Sequence, residues 1–484
     1  MPRLTPAFAL GATLALLSCG PSKTPANLVL VSLDTLRADR LSCMGYERPT
    51  TPTLDALAAR GVRFADCWAA STRTAPSHMS LFSGLEPLAH GVWNVSAGAG
   101  ARAALSPERP TLTEVLAQAG WRTGMLCDSG NVHPALGFGR GFELISAEPT
   151  ALADKATGIT EFLEARDGRP EFLFLHSYEP HAPYLPGPSD RGRFTQAGYS
   201  GEFRKRVAAL AGAERGTAYA EAGRFLEPFE GLGSADVQFL SDLYDENVAH
   251  TDRQLGLLLA QLEQAAQGPT WWVVTSDHGE EFMEHGLLGH VGGLSRELLH
   301  VPLIVVGPEA TAHVDSAPVG LVDLANTLEE LLGLTPSLPG RSFAARVRGS
   351  GPESPGLLGQ QLHLPGTGQA WYGLRRGRLH YVLFERLPVP GSAVGPGSAA
   401  GEAGGVQRGA LFDLVQDPAG ERDASQRLPQ PTKELRARLV ERRRALEQQF
   451  ALHPPADLGA ASQELDRQLE SLGYLPAAGS AGGR

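Results

Sequence analysis

The sequence predicts an α/β protein: a large mixed, mostly parallel sheet with helices on both faces, followed by a small C-terminal α+β subdomain. Three observations carry this. Short apolar runs of strand length, at 28–33, 171–176, 271–275 and 301–306, alternate with stretches of helical periodicity. The central runs are nearly continuous in apolar residues rather than alternating, the pattern of strands buried on both faces. After about residue 345 the texture changes to hairpin signals and then a charged helix. A chain of 484 residues is long enough for one large domain and a smaller one.

The amino terminus, MPRLTPAFALGATLALLSCG, carries one Arg, then an apolar run from Ala7 to Leu17, then Leu-Leu-Ser-Cys. A mainly apolar run of eleven residues is too short to span a bilayer but suits a signal-peptide core. Residues 1–19 therefore read as a bacterial lipoprotein signal ending in Cys19, with residues 20–26 as a tether. This predicts export to the periplasm or cell surface and a lipid anchor on the membrane. No later stretch has the length and apolarity of a transmembrane segment. The remaining cysteines, Cys43, Cys67 and Cys127, have no metal-site spacing and read as small buried thiols. A net charge of −11 argues against a nucleic-acid partner.

The first strand, Leu28–Leu33, stops at Asp34, which places that carboxylate at a strand's carboxyl end, where open α/β sheets bind ligands. Thr53–Arg60 reads as a helix stopped by Gly61, and Thr111–Ala119 as a helix stopped by Gly120. Between them, STRTAPSHMSLFSG (71–84) reads as a loop rich in Ser, Thr and Pro. EFLFLH (171–176) is a core strand leading into SYEPHAPY. Residues 201–238 are polar and irregular and read as an insertion over the site. Val248–Gln264 is an amphipathic helix, and Trp271–Ser276 a strand followed at once by Asp277 and His278. VPLIVV (301–306) is a further strand and 321–332 a helix. The catalytic domain is thus expected over 27–345 and the small subdomain over 346–450. Within the latter come a hairpin around Arg-Gly at 371–385, a Pro/Gly/Ala linker at 388–405, an edge strand near 409–413 and a helix over Lys433–Phe450. A partly disordered tail, 451–484, contains a short helical signal at 463–475.

Asp34, Thr74, Asp277 and His278 together offer two carboxylates, a hydroxyl and an imidazole. That donor set suits a divalent cation: zinc or manganese, with calcium open given added waters. The cation would activate the Thr74 hydroxyl as a nucleophile and take up charge on a transferred group. His78, His133, His181 and His290 are candidates to hold substrate oxygens or protonate the leaving group.

These segments resemble the sulfatase family, within the alkaline phosphatase superfamily, over roughly residues 26–335, with a weaker match to about 425. LVSLDTLRADRLSCMGY resembles the family's first metal-binding strand and loop, STRTAPSHMSLFSG its nucleophile segment, and FLFLHSYEPHAPY its substrate-histidine loop. VVTSDHGEEFMEHGLLGH resembles the second metal loop, LLHVPLIVVGP the strand after it, VDLANTL a helix near the end of the main domain, and ALFDLVQDPAGERDAS the closing segment. The resemblance implies metal ligation by Asp34, Asp277 and His278, a nucleophile at Thr74 and an active-site histidine at His181. It puts His290 where the family carries lysine or histidine, Asn131 where it often carries lysine, and His133 on a catalytic histidine. Three positions depart from the pattern. Sulfatases carry Cys or Ser at position 74, converted to formylglycine, and threonine cannot yield that aldehyde. His78 stands in place of an arginine, and Thr35 in place of a second Asp. A metal-activated Thr resembles instead the superfamily's nucleotide pyrophosphatases and phosphodiesterases. The Asp, Thr, Asp, His set also resembles phosphoglycerol and phosphoethanolamine transferases.

The leading expectation is a hydrolase of phosphate mono- or diesters working through a Thr74 phosphoenzyme, on a small-molecule, glycan or lipid ester. Sulfate-ester hydrolysis, a transferase using a lipid phosphodiester donor, and a nonenzymatic glycan-binding module are the alternatives. No complete Asp, His, His set for a second zinc is evident. His285, His290, Asp245 and Asp252 are the residues available for one, and the helix-face position of Asp252 favours a solvated surface role.

Overall fold

A computed structural model describes residues 25–94, 103–210, 212–213, 217–218, 221–351, 357–364, 368–386, 407–458 and 465. The signal segment, all of the tether but Pro25 and Ala26, the 388–405 linker and the 463–475 helix apart from Leu465 lie outside the described residues. Among the described residues no helix is long and apolar enough to cross a membrane.

Nine strands form the main sheet: β1 (Asn27–Leu33), β2 (Val62–Trp68), β3 (Arg122–Cys127), β4 (Leu144–Ala147), β5 (Glu171–Ser177), β6 (Thr270–Thr275), β7 (His300–Val306), β8 (His313–Asp315) and β9 (Val319–Gly320). Their order is β8–β2–β7–β6–β1–β5–β3–β4, with β9 also on β2. All neighbours are parallel except those of β7, which runs against both β2 and β6.

The two-residue period of a strand divides β1 cleanly. Leu28 and Leu30 join one core with Phe172, Phe174, Val273 and Leu303. Val29, Val31 and Leu33 join the opposite core with Leu173, Leu175, Val274 and Ile304. Helices α2 (Thr74–Ser83), α3 (Leu112–Gln118) and α6 (Leu324–Leu331) cover the first face. Helices α1 (Pro52–Ala58), α4 (Lys155–Glu164) and α5 (Ser234–Ala265) cover the second. The sheet is therefore apolar on both sides, as the continuous runs require. A separate antiparallel sheet follows: β10 (Leu357–Leu364), β11 (Gln369–Arg376), β12 (Leu379–Arg386) and β13 (Gln407–Asp413), in that order. Tyr372, Leu374, Tyr381 and Leu411 pack there against Leu435 and Leu439 of α7 (Pro429–Leu452).

Three expectations are corrected. The segment 71–84 is not all loop: Thr74 opens α2. Pro76 fits the first turn because N–H groups there have no intrahelical partner to lose, and Gly84, at φ 68°, ends the helix. The helix expected from Val248 begins instead at Ser234, and Glu202–Ala209 and Ala222–Phe225 are also helical. The polar residues that disguised its first half face inward. Asp242 and Asp245 are buried against Arg48 and Arg40, and Glu246 accepts N–H bonds from Gly192, Phe194 and Thr195. Asp252 is likewise buried, not solvated, and caps α1 by accepting from the N–H groups of Thr53 (2.8 Å) and Leu54 (2.9 Å).

Candidate active site

The carboxyl ends of β1, β5 and β6, three adjacent parallel strands, deliver most of the expected groups to one place. Asp34 follows β1, and its N–H donates to the Ser177 carbonyl at the end of β5 (2.9 Å). Thr35 turns the chain away at a left-handed φ of 58°. The cost of that conformation for a β-branched residue is met by anchors on both sides. Its N–H donates to Asp277 Oδ1 (3.3 Å), and its carbonyl accepts from the Tyr244 hydroxyl (2.7 Å). Asp277 and His278 follow β6, and α2 places Thr74 opposite them, its Oγ1 3.4 Å from His278 Nε2. Ser77, in the first turn of α2, locks the two segments together by donating to the Asp277 carbonyl (2.6 Å).

Asp34, Asp277 and His278 present ligand atoms within 4.8 Å of one another, all fully buried. Asp34 Oδ1 and Asp277 Oδ2 accept no hydrogen bond. Burial raises the Asp34 carboxyl well above its usual range, and the neighbouring Asp277 charge adds to this. Burial works against ionisation of Asp277 too, but the imidazoles of His278, His78 and His176 hold it at about 2. Removing an ion from water costs several kcal/mol even after relaxation, so two facing carboxylates with open lone pairs call for a cation. Two carboxylate oxygens, an imidazole nitrogen and the Thr74 hydroxyl fit a divalent metal ion, and the donor types do not choose between zinc, manganese and calcium.

Three imidazoles are oriented alike. His278 Nδ1 donates to the Gly279 carbonyl (2.9 Å) and His181 Nδ1 to the Ala182 carbonyl (2.6 Å). His290 Nδ1 meets Glu280 Oε1 (2.7 Å). Each therefore keeps Nε2 for the site. The His290 ring lies 4.5 Å from that of His278 and 5.1 Å from that of His181, so the three form one cluster. Burial lowers the His181 and His278 imidazoles to about 4 and His290 to about 3.

His78 sits behind Thr74. Its Nδ1 donates to the Thr74 carbonyl (2.9 Å), which leaves Nε2 to accept from Ser32 Oγ (2.9 Å). Both nitrogens are engaged, and the ring is enclosed by Phe138, Phe174 and His176. It therefore backs the nucleophile segment, with Nδ1 also 3.5 Å from Asp277 Oδ2. His133 Nδ1 accepts the Ala135 N–H (3.0 Å), capping the short turn Pro134–Leu136. In the preceding turn the Asn131 N–H donates to the Tyr178 hydroxyl, and the Tyr178 ring packs on His176 and His181.

Of the residues available for a second zinc, Asp245 is occupied by Arg40, Arg48 and Tyr46, and Asp252 by its helix cap. Residues the sequence reading passed over also serve the site. Glu280, fully buried, bridges His290 and the Tyr184 hydroxyl (3.0 Å). His176 Nε2 approaches Asp34 Oδ2 (3.4 Å), and Asn94 Oδ1 accepts the Ala75 N–H (2.8 Å). Glu280 had a signal in its place directly after Asp277-His278-Gly279; Asn94 had none.

Human arylsulfatase A is 37% identical over 113 residues, 23% of this chain and 22% of that protein, so the match spans only about a fifth of the relative's length. The phosphonate monoester hydrolase of Agrobacterium radiobacter superposes with a TM-score of 0.61 at 20% identity, covering 90% of this chain and 97% of that one. A protein solved with its substrate D-glucosamine-2-N,6-O-disulfate superposes with a TM-score of 0.64 at 20% identity, covering 89% and 99%. The sulfatase family model matches residues 26–334, the stretch that carries Asp34, Thr74, Asp277 and His278. The chain belongs to the sulfatase family, within the alkaline phosphatase superfamily.

Proposed function

We propose that the protein is a metal-dependent hydrolase of phosphate mono- or diesters with Thr74 as its nucleophile. The observation that carries this is the position of the Thr74 hydroxyl, at the first turn of α2 and 3.4 Å from His278 Nε2, beside two carboxylate oxygens that have no hydrogen-bond partner. Asp34, Asp277, His278 and Thr74 would hold the ion. Bound there, a divalent cation lowers the pKa of the hydroxyl and offsets negative charge on the transferred group.

Thr74 Oγ1 loses its proton and attacks phosphorus. The bond to the ester oxygen breaks, and the departing alkoxide takes up a proton. Water then attacks the phosphothreonine and releases phosphate, or a monoester from a diester substrate. The amino terminus of α2 adds the positive end of a helix dipole near the anion. His181 and His290 present Nε2 to the leaving group and substrate oxygens. Their lowered pKa leaves them neutral near pH 7 in the free protein, and a bound phosphate anion favours their protonation. His78 holds the carbonyl of Thr74 and so positions the nucleophile.

Sulfate-ester hydrolysis is the second reading, favoured by the similarity to arylsulfatase A over 113 residues. Matched p-nitrophenyl phosphate, bis(p-nitrophenyl) phosphate and p-nitrophenyl sulfate, each with zinc, manganese or calcium, separate the two. Faster phosphate-ester turnover that is lost in Thr74→Ala supports the proposal. Selectivity for sulfate, or a Thr74→Ala rate equal to that of the parent, rejects it. Small-molecule, glycan or lipid esters are the substrate classes proposed. Export and lipidation at Cys19 are part of the same reading and would be seen as membrane-associated protein that Cys19→Ala releases.

A further inference from the structure

The hairpin that follows the Asp277-His278 loop and the short helix beyond it bring together a second cluster of groups able to hold a metal ion, which shares no residue with the first. Glu281 starts the hairpin (Glu281–Phe282 against Leu288–Gly289), His285 lies in its turn, and Glu297 is in the short helix Arg296–Leu299 that leads into β7. The three present ligand atoms within 4.8 Å of one another, and His285 Nε2 is 2.8 Å from Glu297 Oε2. Glu281 is only 1% exposed. Its Oε1 accepts from Ser295 Oγ (2.5 Å), but its Oε2 is buried with no hydrogen-bond partner. A buried carboxylate oxygen with no hydrogen-bond donor, facing an imidazole and a second carboxylate, is costly unless a cation shares it.

We infer that Glu281, His285 and Glu297 form a second metal site, for a divalent transition ion of the zinc class. One imidazole and two carboxylates are a borderline donor set that favours such ions over magnesium or calcium. Ser295 supplies the outer hydrogen bond that fixes a ligating carboxylate. A cavity of about 420 Å³ lined by Glu281, His285, Leu287 and Trp371 gives the ion a route in, and His285 is partly open to it. Three protein ligands leave a further position for water. The ion would tie the hairpin to the segment entering β7, and His290, one residue beyond the hairpin, would be held in place by the same tie.

The test uses the full chain, stripped with chelator, dialysed against zinc and measured for bound metal by mass spectrometry. The parent is expected to hold two ions per chain, Glu281→Gln one and Asp277→Asn one, while the double variant holds none. In cobalt-loaded Asp277→Asn the visible d–d absorption of the ion reports the Glu281 site directly, and adding Glu281→Gln should abolish it. If instead the parent holds one ion, Glu281→Gln still holds one and Asp277→Asn holds none, His285 and Glu297 are an ion pair only and the inference is overturned. A parent with one ion that Asp277→Asn keeps and Glu281→Gln loses would uphold this site while rejecting the ion at Thr74.

Discussion

Thr74 owes its setting to neighbouring groups that hold it and the surrounding imidazoles in place. His278 is fixed by Gly279, His290 by Glu280, and the Thr74 carbonyl by His78. Groups that orient a ligand or acid typically carry 10- to 100-fold effects. Glu280→Gln is therefore expected to lower kcat by about 10- to 100-fold with a smaller change in KM, measured by steady-state kinetics on the best ester. Thr74→Ala, which deletes the attacking oxygen, should lower kcat by on the order of 1000-fold or more. The positions of Asp34, Asp277 and His278 were legible because each lies just past the end of an apolar strand. The enclosure of His78 was not. Its i+4 spacing from Thr74 acquires meaning only once 74–83 is known to be a helix, and its contact with Ser32 comes from another strand.

Local elements hide charge that the sequence suggests is solvated. In α5, Asp242, Asp245 and Glu246 are buried beside Phe239, Leu240, Leu243, Tyr244 and Val248, so carboxylates interrupt the apolar stripe in the first half of the helix, and Asp252 is buried further along. Asp252 serves α1 as a remote cap, and Asp252→Ala should cost about 1 kcal/mol or more, since two N–H groups lose their acceptor. Denaturant midpoints at pH 7 would show it. The short helix Pro87–His90 contains a pH-sensitive group. His90 is fully buried, and its Nδ1 accepts the Val92 N–H (3.0 Å), so the neutral form is the one that fits; burial lowers its pKa to about 3. The folded value lies below the unfolded value, about 6.5. The unfolded chain then binds the extra proton between these limits, and stability falls as pH drops from about 6.5 towards 3. The loss is about 1.4 kcal/mol per pH unit from this group. His90→Gln should flatten the stability–pH slope by close to one proton; an unchanged slope would show that His90 is not the titrating group.

The whole chain unites two sheets through contacts that neither sheet could satisfy alone. Arg375 of β11 pairs with Asp66 of β2 and stacks over Trp68 at 4.3 Å, and the Gln361 N–H of β10 donates to the Ala70 carbonyl (2.9 Å). Arg442 of α7 reaches the buried Glu86 (2.6 Å). A chain ending at residue 350 would leave Asp66 and Glu86 without these partners. It should melt several degrees lower or aggregate, whereas the full chain should unfold in a single calorimetric transition. The parallel core was readable because its strands are apolar on both faces. β2 and β3 were not: Arg63 and Asp66 interrupt the apolar run of β2, and β3 opens on Arg122, Thr123 and Gly124; Asp66 and Arg122 find Arg375 and Glu171 only in the assembled molecule. Likewise, the closing of Asp34, Thr74, Asp277 and His278 into one cup depends on contacts between residues far apart in the chain, such as Ser77 with Asp277, 200 residues on.

The central claim is that the transferred group passes through Thr74. The most direct measurement is mass spectrometry of the metal-loaded protein, acid-quenched during turnover of a phosphate ester and digested. A phosphate on the peptide containing Thr74, rising within the first turnover and decaying as substrate is exhausted, is the result expected. Full turnover with that peptide unmodified at every quench time, or undiminished turnover by Thr74→Ala, would contradict it.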